Sequence, residues 1–383
     1  MNSSTSPTQP FRALIAGGGV AAVEAALALR DLAADRIAIT LLAPEPDFVY
    51  RPMRVREPFG YALAQRHSLE EIARDVDAEL VPDAVKWLDP GRSVVHTEHG
   101  QQLRYDALLI ALGAHLRPAF AHAITVDDDH IDEQLHGLLQ DIEGGYVSSL
   151  AFLAPSPLPW PLPIYELALM TATRAYDMGV RISITIATPE QAPLALFGST
   201  VSDGVKRLLD DRGIATIPSA HCTINRPGVV SIDPGGRTLL ADRVVALPQL
   251  FGPSVPGLSA GTQDGFIPVD VHCRVRGIER VWAAGDATDF PVKHGGIAAQ
   301  QADTAAAAIA AVAGAPVQPA PFHPEIRAVL LGGEQPLYLS AHVTGGHGSD
   351  SSIREQPTWS PPAKIAAKYL SPYLEARGTA ALR

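Results

Sequence analysis

Cysteine is nearly missing from this chain. Cys222 and Cys273 are the only two in 383 residues, which excludes a disulfide scaffold and any Cys-x-x-Cys metal or redox pair. Basic charge is also short. Thirty Lys and Arg against 41 Asp and Glu leave a formal net charge of −11, so no broad positive field exists to hold a nucleic-acid backbone. Long apolar runs are missing as well: the longest, Ala13–Val23, is broken by three glycines and is too short to span a bilayer. Residues 1–10 are polar and uncharged, unlike a signal peptide, and read as a disordered tail. With thiols kept reduced, the expected address is cytoplasmic. No metal-ligand cluster is spaced along the chain.

What is present is a globular composition, 46% hydrophobic and 19% charged, with enough apolar residues for two cores. Short β-branched runs alternate with alanine-rich helical stretches, the pattern of an α/β protein with parallel sheets. The spacing predicts strand Ala13–Ala16, helix Ala21–Asp31 and strand Ile37–Leu42. A second unit follows, with strand Ser149–Ala154, helix Ile164–Asp177, strand Arg181–Ala187, helix Thr200–Asp211 and strand Ile214–Ile217.

Between the first strand and first helix stand Gly17, Gly19 and Ala22, a G-x-G-x-x-A fingerprint. Gly17 permits the tight turn, Gly19 lets the backbone approach a pyrophosphate, and Ala22 keeps the helix against the strand. The first helical amides, at Val20 and Ala21, then face the phosphates. Glu45, after the second strand, is the candidate for the ribose hydroxyls.

Two further segments carry a resemblance. YDALLIALGA (Tyr105–Ala114) and VWAAGDAT (Val281–Thr288) are similar to paired segments of flavoproteins with two dinucleotide-binding domains, the pyridine nucleotide-disulfide oxidoreductase superfamily. The resemblance implies an α/β fold of two Rossmann-like domains. The FAD domain would be split between 11–118 and 246–316, around an insert at 119–245, with a C-terminal cap at 317–383. It implies FAD on the first fingerprint, with Asp286 on the ribityl chain and Gly285, Ala111, Gly113, Arg51 and Val85 around the cofactor. FVYRPMRVREPF and PVKHGGIAAQQAD narrow the likeness to the sulfide:quinone oxidoreductase, flavocytochrome c sulfide dehydrogenase and type II NADH dehydrogenase group. There a helix starting near Gly296 and Ile297 would point at the flavin, and AAQQA (Ala298–Ala302) resembles a quinone-facing Ala-Gln motif.

Proline, 33 of 383 residues, is well above the ~5% usual in proteins, and part of the excess falls in one place. Where a second glycine fingerprint belongs, the chain reads APSPLPWPLP, and no glycine occurs from Val147 to Met178. Proline has no amide hydrogen and a fixed φ, so this loop cannot ring a pyrophosphate with donors. Conventional NAD(P)H binding is therefore not expected. Trp160 stands in this loop where the sulfide-oxidising branch often has a cysteine, and neither cysteine lies nearby in sequence.

The resemblance then implies Glu166 and Lys293 as chemical candidates, paired beside the flavin as in relatives, with Trp160 in the proline loop as a third. His294 is a further proton donor to consider. TWSPPAKIAAKYLSPYL suggests an amphipathic helix that caps the flavin or makes a homodimer contact, with peripheral membrane attachment as the alternative. The expected function is an FAD-dependent oxidoreductase passing two electrons from a small-molecule electron donor to a quinone or other acceptor. The alternatives are an NAD(P)H-dependent flavin reductase with non-standard nicotinamide binding, and a flavoprotein acting as a binding partner.

Overall fold

The computed structural model describes residues 10–378 except 61–62, 128–129, 259–261, 263, 333–334 and 345–346; the tail at 1–9 lies outside the described residues. Two five-stranded parallel sheets organise the chain. In the first, Val281–Ala283, Ala107–Ile110, Phe11–Ala16, Ile37–Leu42 and Ala78–Val81 lie side by side in that order. Their register brings the carboxyl ends into line: Ala16 stands beside both Leu42 and Ile110, and Ile110 beside Ala283. The loops Gly17–Gly19, Ala43–Glu45, Ala111–Gly113 and Ala284–Asp286 therefore emerge at one edge. In open α/β sheets this is the edge where ligands bind.

Helix α1 (Val20–Ala33) follows the first loop. Shorter helix α2 (Leu69–Asp75) begins at Ser68, whose hydroxyl accepts from the Glu71 amide. Helix α3 (Ile131–Glu143) leads into the second sheet, and α4 (Leu162–Asp177) and α5 (Ser199–Asp211) pack within that domain. The second sheet runs Ile124–Thr125, Arg243–Ala246, Ser149–Leu153, Ser183–Ala187, Ala215–Ile217. Its carboxyl ends also align, Leu153 with Ala246 and Ala187, so Val126, Leu247, the proline loop and Thr188–Glu190 share an edge.

Helix α6 (Gly295–Val312) returns to the first domain and lies along α1. The contact is made of small side chains, Ala21, Ala22, Ala25 and Ala28 against Ala298, Ala302, Ala305 and Ala306, all buried. Such residues let two helix backbones come close, and packing density is kept without large side chains. After α6 come three antiparallel strands, Glu325–Leu330, Leu337–Thr344 and His347–Arg354.

The C-terminal segment departs from the expected amphipathic helix. Only Leu370–Ala376 is helical (α7), and 361–369 runs as an irregular strap. Lys364, expected in that amphipathic segment, is buried, and so is its neighbour Ile365. Pro361 and Pro362, which lack amide hydrogens, sit where the expected helix would begin. Among the described residues no helix is long and apolar enough to cross a membrane.

Two carboxyls sit inside the α1–α6 contact. Glu24 is fully buried and accepts from the amides of Tyr369 and Leu370, which caps α7 from another helix. Asp303 on α6 lies against it; burial first, then the Glu24 charge, pushes Asp303 up to about 8. Folded Asp303 thus keeps a proton that the unfolded chain releases near pH 4. Stability from this group should be full below pH 4 and fall as pH rises to about 8. Asp303→Asn should therefore melt higher than the parent at pH 8, with the gap closing towards pH 4 in paired thermal scans.

Candidate functional site

The first dinucleotide cradle is built as its residues require. Gly17 has φ +134°, and a Cβ there would run into the Ala111 carbonyl, so glycine is needed for the close crossing of loop and strand. Ala111 is buried and its amide bonds the Ala16 carbonyl at 2.8 Å. Gly19 is exposed, and a Cβ placed there would meet nothing within 4 Å, which leaves open space above the α1 N-terminus. No side chain caps that helix, and its first intrahelical bond runs from Val23 to Gly19. The amides of Val20, Ala21 and Ala22 therefore lack helical partners and are free to meet phosphate oxygens. Glu45 is exposed on the loop after Ile37–Leu42. Gly113 has φ +74°, and Val85 borders a small void with Ala16, Ile110 and Leu112.

Gly285 sits at φ +77°, which favours glycine, and a Cβ there would press on Ala21 and Ala298 at 3.3 and 3.2 Å. Its amide donates to Gln301 Oε1 at 2.8 Å, and Thr288 Oγ1 closes the turn on the Gly285 carbonyl at 2.9 Å. This frame sets Asp286 at the strand end, on the wall of a cavity of about 260 Å3. Burial raises the Asp286 carboxyl, while Lys293 and Arg51 pull it down. No hydrogen bond from a described residue reaches that carboxylate, so it is available to a hydroxyl donor. An open phosphate cradle, unpaired helix amides and a half-buried acceptor on the same edge fit FAD.

Several expectations change. Glu166 does not pair with Lys293. Both its oxygens lie 2.8 Å from Lys364 Nζ on the C-terminal strap, and Oε1 also accepts from the Leu331 amide at 2.9 Å. Lys293 instead donates to the Thr288 carbonyl and stands 4.0 Å above the Phe266 ring. Burial pulls the Lys293 ammonium down to about 8, with Asp286 and Asp289 opposing. The two residues do line the same cavity, together with Trp160 and Arg51.

The Ala-Gln string also has another use. Gln301 holds the Gly285 turn, and Gln300 bonds the carbonyls of Gly296 and Glu325 and the Glu325 amide. Both amide side chains are engaged in framework bonds. Gly296, expected to offer its amide to the cofactor, gives it to His294 Nδ1 at 3.2 Å, and Ile297 is buried in the core. Burial, then the Lys364 charge, pushes His294 down to about 3. The ring is neutral and, because Nδ1 accepts, carries its proton on Nε2. Trp160 packs on this ring, centroids 4.3 Å apart.

On the second sheet the proline loop reaches the first domain, where the Pro159 carbonyl accepts from the Lys293 amide at 3.3 Å. Glu190, which sequence reasoning did not single out, follows strand Ser183–Ala187 as Glu45 follows Ile37–Leu42. The repeated Ala-Pro-Glu and Thr-Pro-Glu after each strand was the available signal. Glu45 faces solvent, but Glu190 turns inward and accepts from Tyr165 Oη at 2.6 Å, Thr188 Oγ1 at 3.1 Å and the Ala195 amide at 3.2 Å. Burial raises its carboxyl to about 7. The acid that would hold a second ribose is tied to its own domain. Cys222 and Cys273 form no disulfide, and burial pushes their thiols up to about 11 and 12, which keeps them protonated and poorly nucleophilic.

Residues 8–141 match the family described as pyridine nucleotide-disulphide oxidoreductase. A sulfide-quinone reductase from Aquifex aeolicus is 25% identical over 258 residues, 63% of this chain and 59% of that protein. The match thus spans less than two thirds of that relative's length. Among solved structures, the sulfide:quinone oxidoreductase of the same organism superposes with a TM-score of 0.79 at 20% identity, covering 90% of this chain and 87% of that one. A ferredoxin reductase from Rhodopseudomonas palustris gives 0.67 at 19% identity, covering 87% and 83%.

Removing Lys364 would leave Glu166 as an unpaired buried charge, and losses of about 3–5 kcal/mol follow such changes. Lys364→Met should destabilise by that order in denaturant melts. Adding Glu166→Gln, which removes the charge and keeps an acceptor for Leu331, should recover most of the loss.

Proposed function

We propose that this chain, which resembles the pyridine nucleotide-disulphide oxidoreductases, is an FAD-dependent oxidoreductase that passes two electrons from a small donor to a quinone or other small acceptor without a cysteine relay. The observation that carries the reading is one cavity bounded by Asp286, Lys293 and His294 from the first domain and by Trp160 and Glu166 from the second. Bound FAD supplies the two-electron chemistry.

The chain's own groups supply the rest. Gly17, Gly19 and the α1 amides would hold the pyrophosphate, and Asp286 would accept a ribityl hydroxyl. Lys293, its ammonium lowered to about 8, is a cation at neutral pH with a proton that can be lent as pH rises. His294 stays neutral down to about pH 3, so it donates a hydrogen bond from Nε2 and does not act as an acid. Leu158, Leu162, Leu247 and the loop prolines exclude water, which strengthens each of these polar contacts. The buried, high-pKa thiols support electron transfer without a thiol intermediate. Against a nicotinamide donor stand the amide-poor loop and the occupied Glu190.

Two measurements test this. The purified protein should carry one FAD, and Gly19→Val, which fills the open space above the cradle, should lose FAD while the apoprotein melts as before. In anaerobic titrations the visible flavin band should resist NADH and NADPH and bleach with a small donor. Rapid bleaching by either nucleotide would overturn the reading of the second domain.

A further inference from the structure

Four cationic side chains line the same cavity. Around it stand Arg51, Arg54, Lys293 and Lys364 against Glu166 and Asp286, in a chain whose net charge is −11. Lys364 is matched by both oxygens of Glu166, and Lys293 is balanced by Asp286 and Asp289. Arg54 is different. Its Nε is buried with no hydrogen-bond partner among the described residues, and none of their carboxylates forms an ion pair with it. A buried donor left unbonded is destabilising, and more so when it is charged. A buried donor of this kind calls for an explanation, and an acceptor on a ligand is one.

Arg54 lies on the segment Arg51–Phe59, which packs against α3, with His136 Nδ1 3.4 Å from the Pro58 carbonyl. The cavity walls near this junction are apolar: Val55, Val126, Ile131, Leu158, Leu162 and Leu247. A guanidinium presents a planar fork of donors that matches a carboxylate in two parallel bonds. Apolar walls favour a body with little hydration over a small inorganic anion. At about 260 Å3 the space lies near the lower end of small-molecule sites, ~300–1,000 Å3, and it lacks the ring of amides a nucleotide would need.

Resting on the FAD-oxidoreductase reading, we propose that this cavity binds a small amphipathic carboxylate, its apolar body on the Val126–Ile131–Leu247 wall and its carboxylate on the Arg54 guanidinium. Arg54 is then the residue that sets the ligand's charge class, and the second domain's sheet edge supplies the shape.

The test uses the FAD-containing protein and two probes of equal size, phenylacetate and its neutral isostere phenylacetamide. Binding is followed by calorimetry and by perturbation of the oxidised flavin band with no donor present. Phenylacetate should bind at least tenfold more tightly than the amide. Arg54→Met, which keeps the stem and removes the fork, should erase that preference with FAD content unchanged. Arg54→Lys, which keeps the charge without the fork, should fall between. Equal affinity for the two probes, no binding of either, or a preference that survives in Arg54→Met would each overturn the proposal. Loss of FAD in Arg54→Met would overturn it too, by assigning Arg54 to the cofactor. A wild-type protein that never takes up FAD would sink the flavin reading separately, because calorimetry reads the carboxylate preference without it.

Discussion

Lys364 meets both oxygens of Glu166 across a separation of 198 residues, and neither side chain retains meaningful solvent contact. Desolvating the two charges costs several kcal/mol per ion, so their attraction yields little net stability. What it yields is position, because each charge, once buried, has no second place to go. The strap that carries Lys364 is thereby fixed on α4, the first helix of the second domain to follow its proline loop. One residue on, the Ile365 amide bonds the Tyr50 hydroxyl at 2.8 Å and its side chain packs on Gly295. Gly295 begins α6, so the last part of the chain sets the start of the helix that frames Asp286 and His294. Glu24 then anchors the far end of the strap at α7. The site is held by a segment that contributes only one side chain, Lys364, to the cavity itself.

The parts legible in the sequence are those whose physics is local. The strand Ile37–Leu42 forms over the residues its pattern implied, and Gly17 and Gly19 announce a turn whose steric needs are met within a few residues. The parts that misled depend on distant contacts. A Glu166–Lys293 pair was a reasonable expectation from two charges near one flavin site, but the winning partner sits on the strap, whose path no local signal describes. Gln300 and Gln301 lie on an alanine-rich helix whose string says nothing about which face meets the Gly285 turn or the Glu325 strand. The strap itself contains good helix formers, yet tertiary partners for Lys364 and Ile365 override that propensity.

The second domain shows how a dinucleotide scaffold is redirected without changing its sheet. Its strands keep the parallel order and the aligned carboxyl ends. Two local features disfavour phosphate and ribose contacts there: the loop prolines carry no amide hydrogens, and Tyr165 donates to the Glu190 carboxylate. The edge that would receive a dinucleotide is then free to become a wall. Val126, Leu158 and Leu247, each on a segment that leaves a strand's carboxyl end, contribute to the cavity facing Asp286. Rigid prolines suit this use, since a wall that shapes a ligand gains from residues with little conformational freedom.

That wall also decides the electrostatics. In an apolar enclosure a charge acts over a longer range than in water, and a group that can shed its charge tends to do so. His294 does, and is neutral over the ordinary pH range. Lys293 is drawn only to about 8 because Asp286 and Asp289 hold its proton. Arg54 adds a planar fork of donors to the same wall. Lys293 thus stays a cation at neutral pH beside a neutral hydrogen-bond donor, His294. A chain of net −11 thereby sets four cationic side chains around one enclosure, where apolar walls make each charge count for more than it would in water.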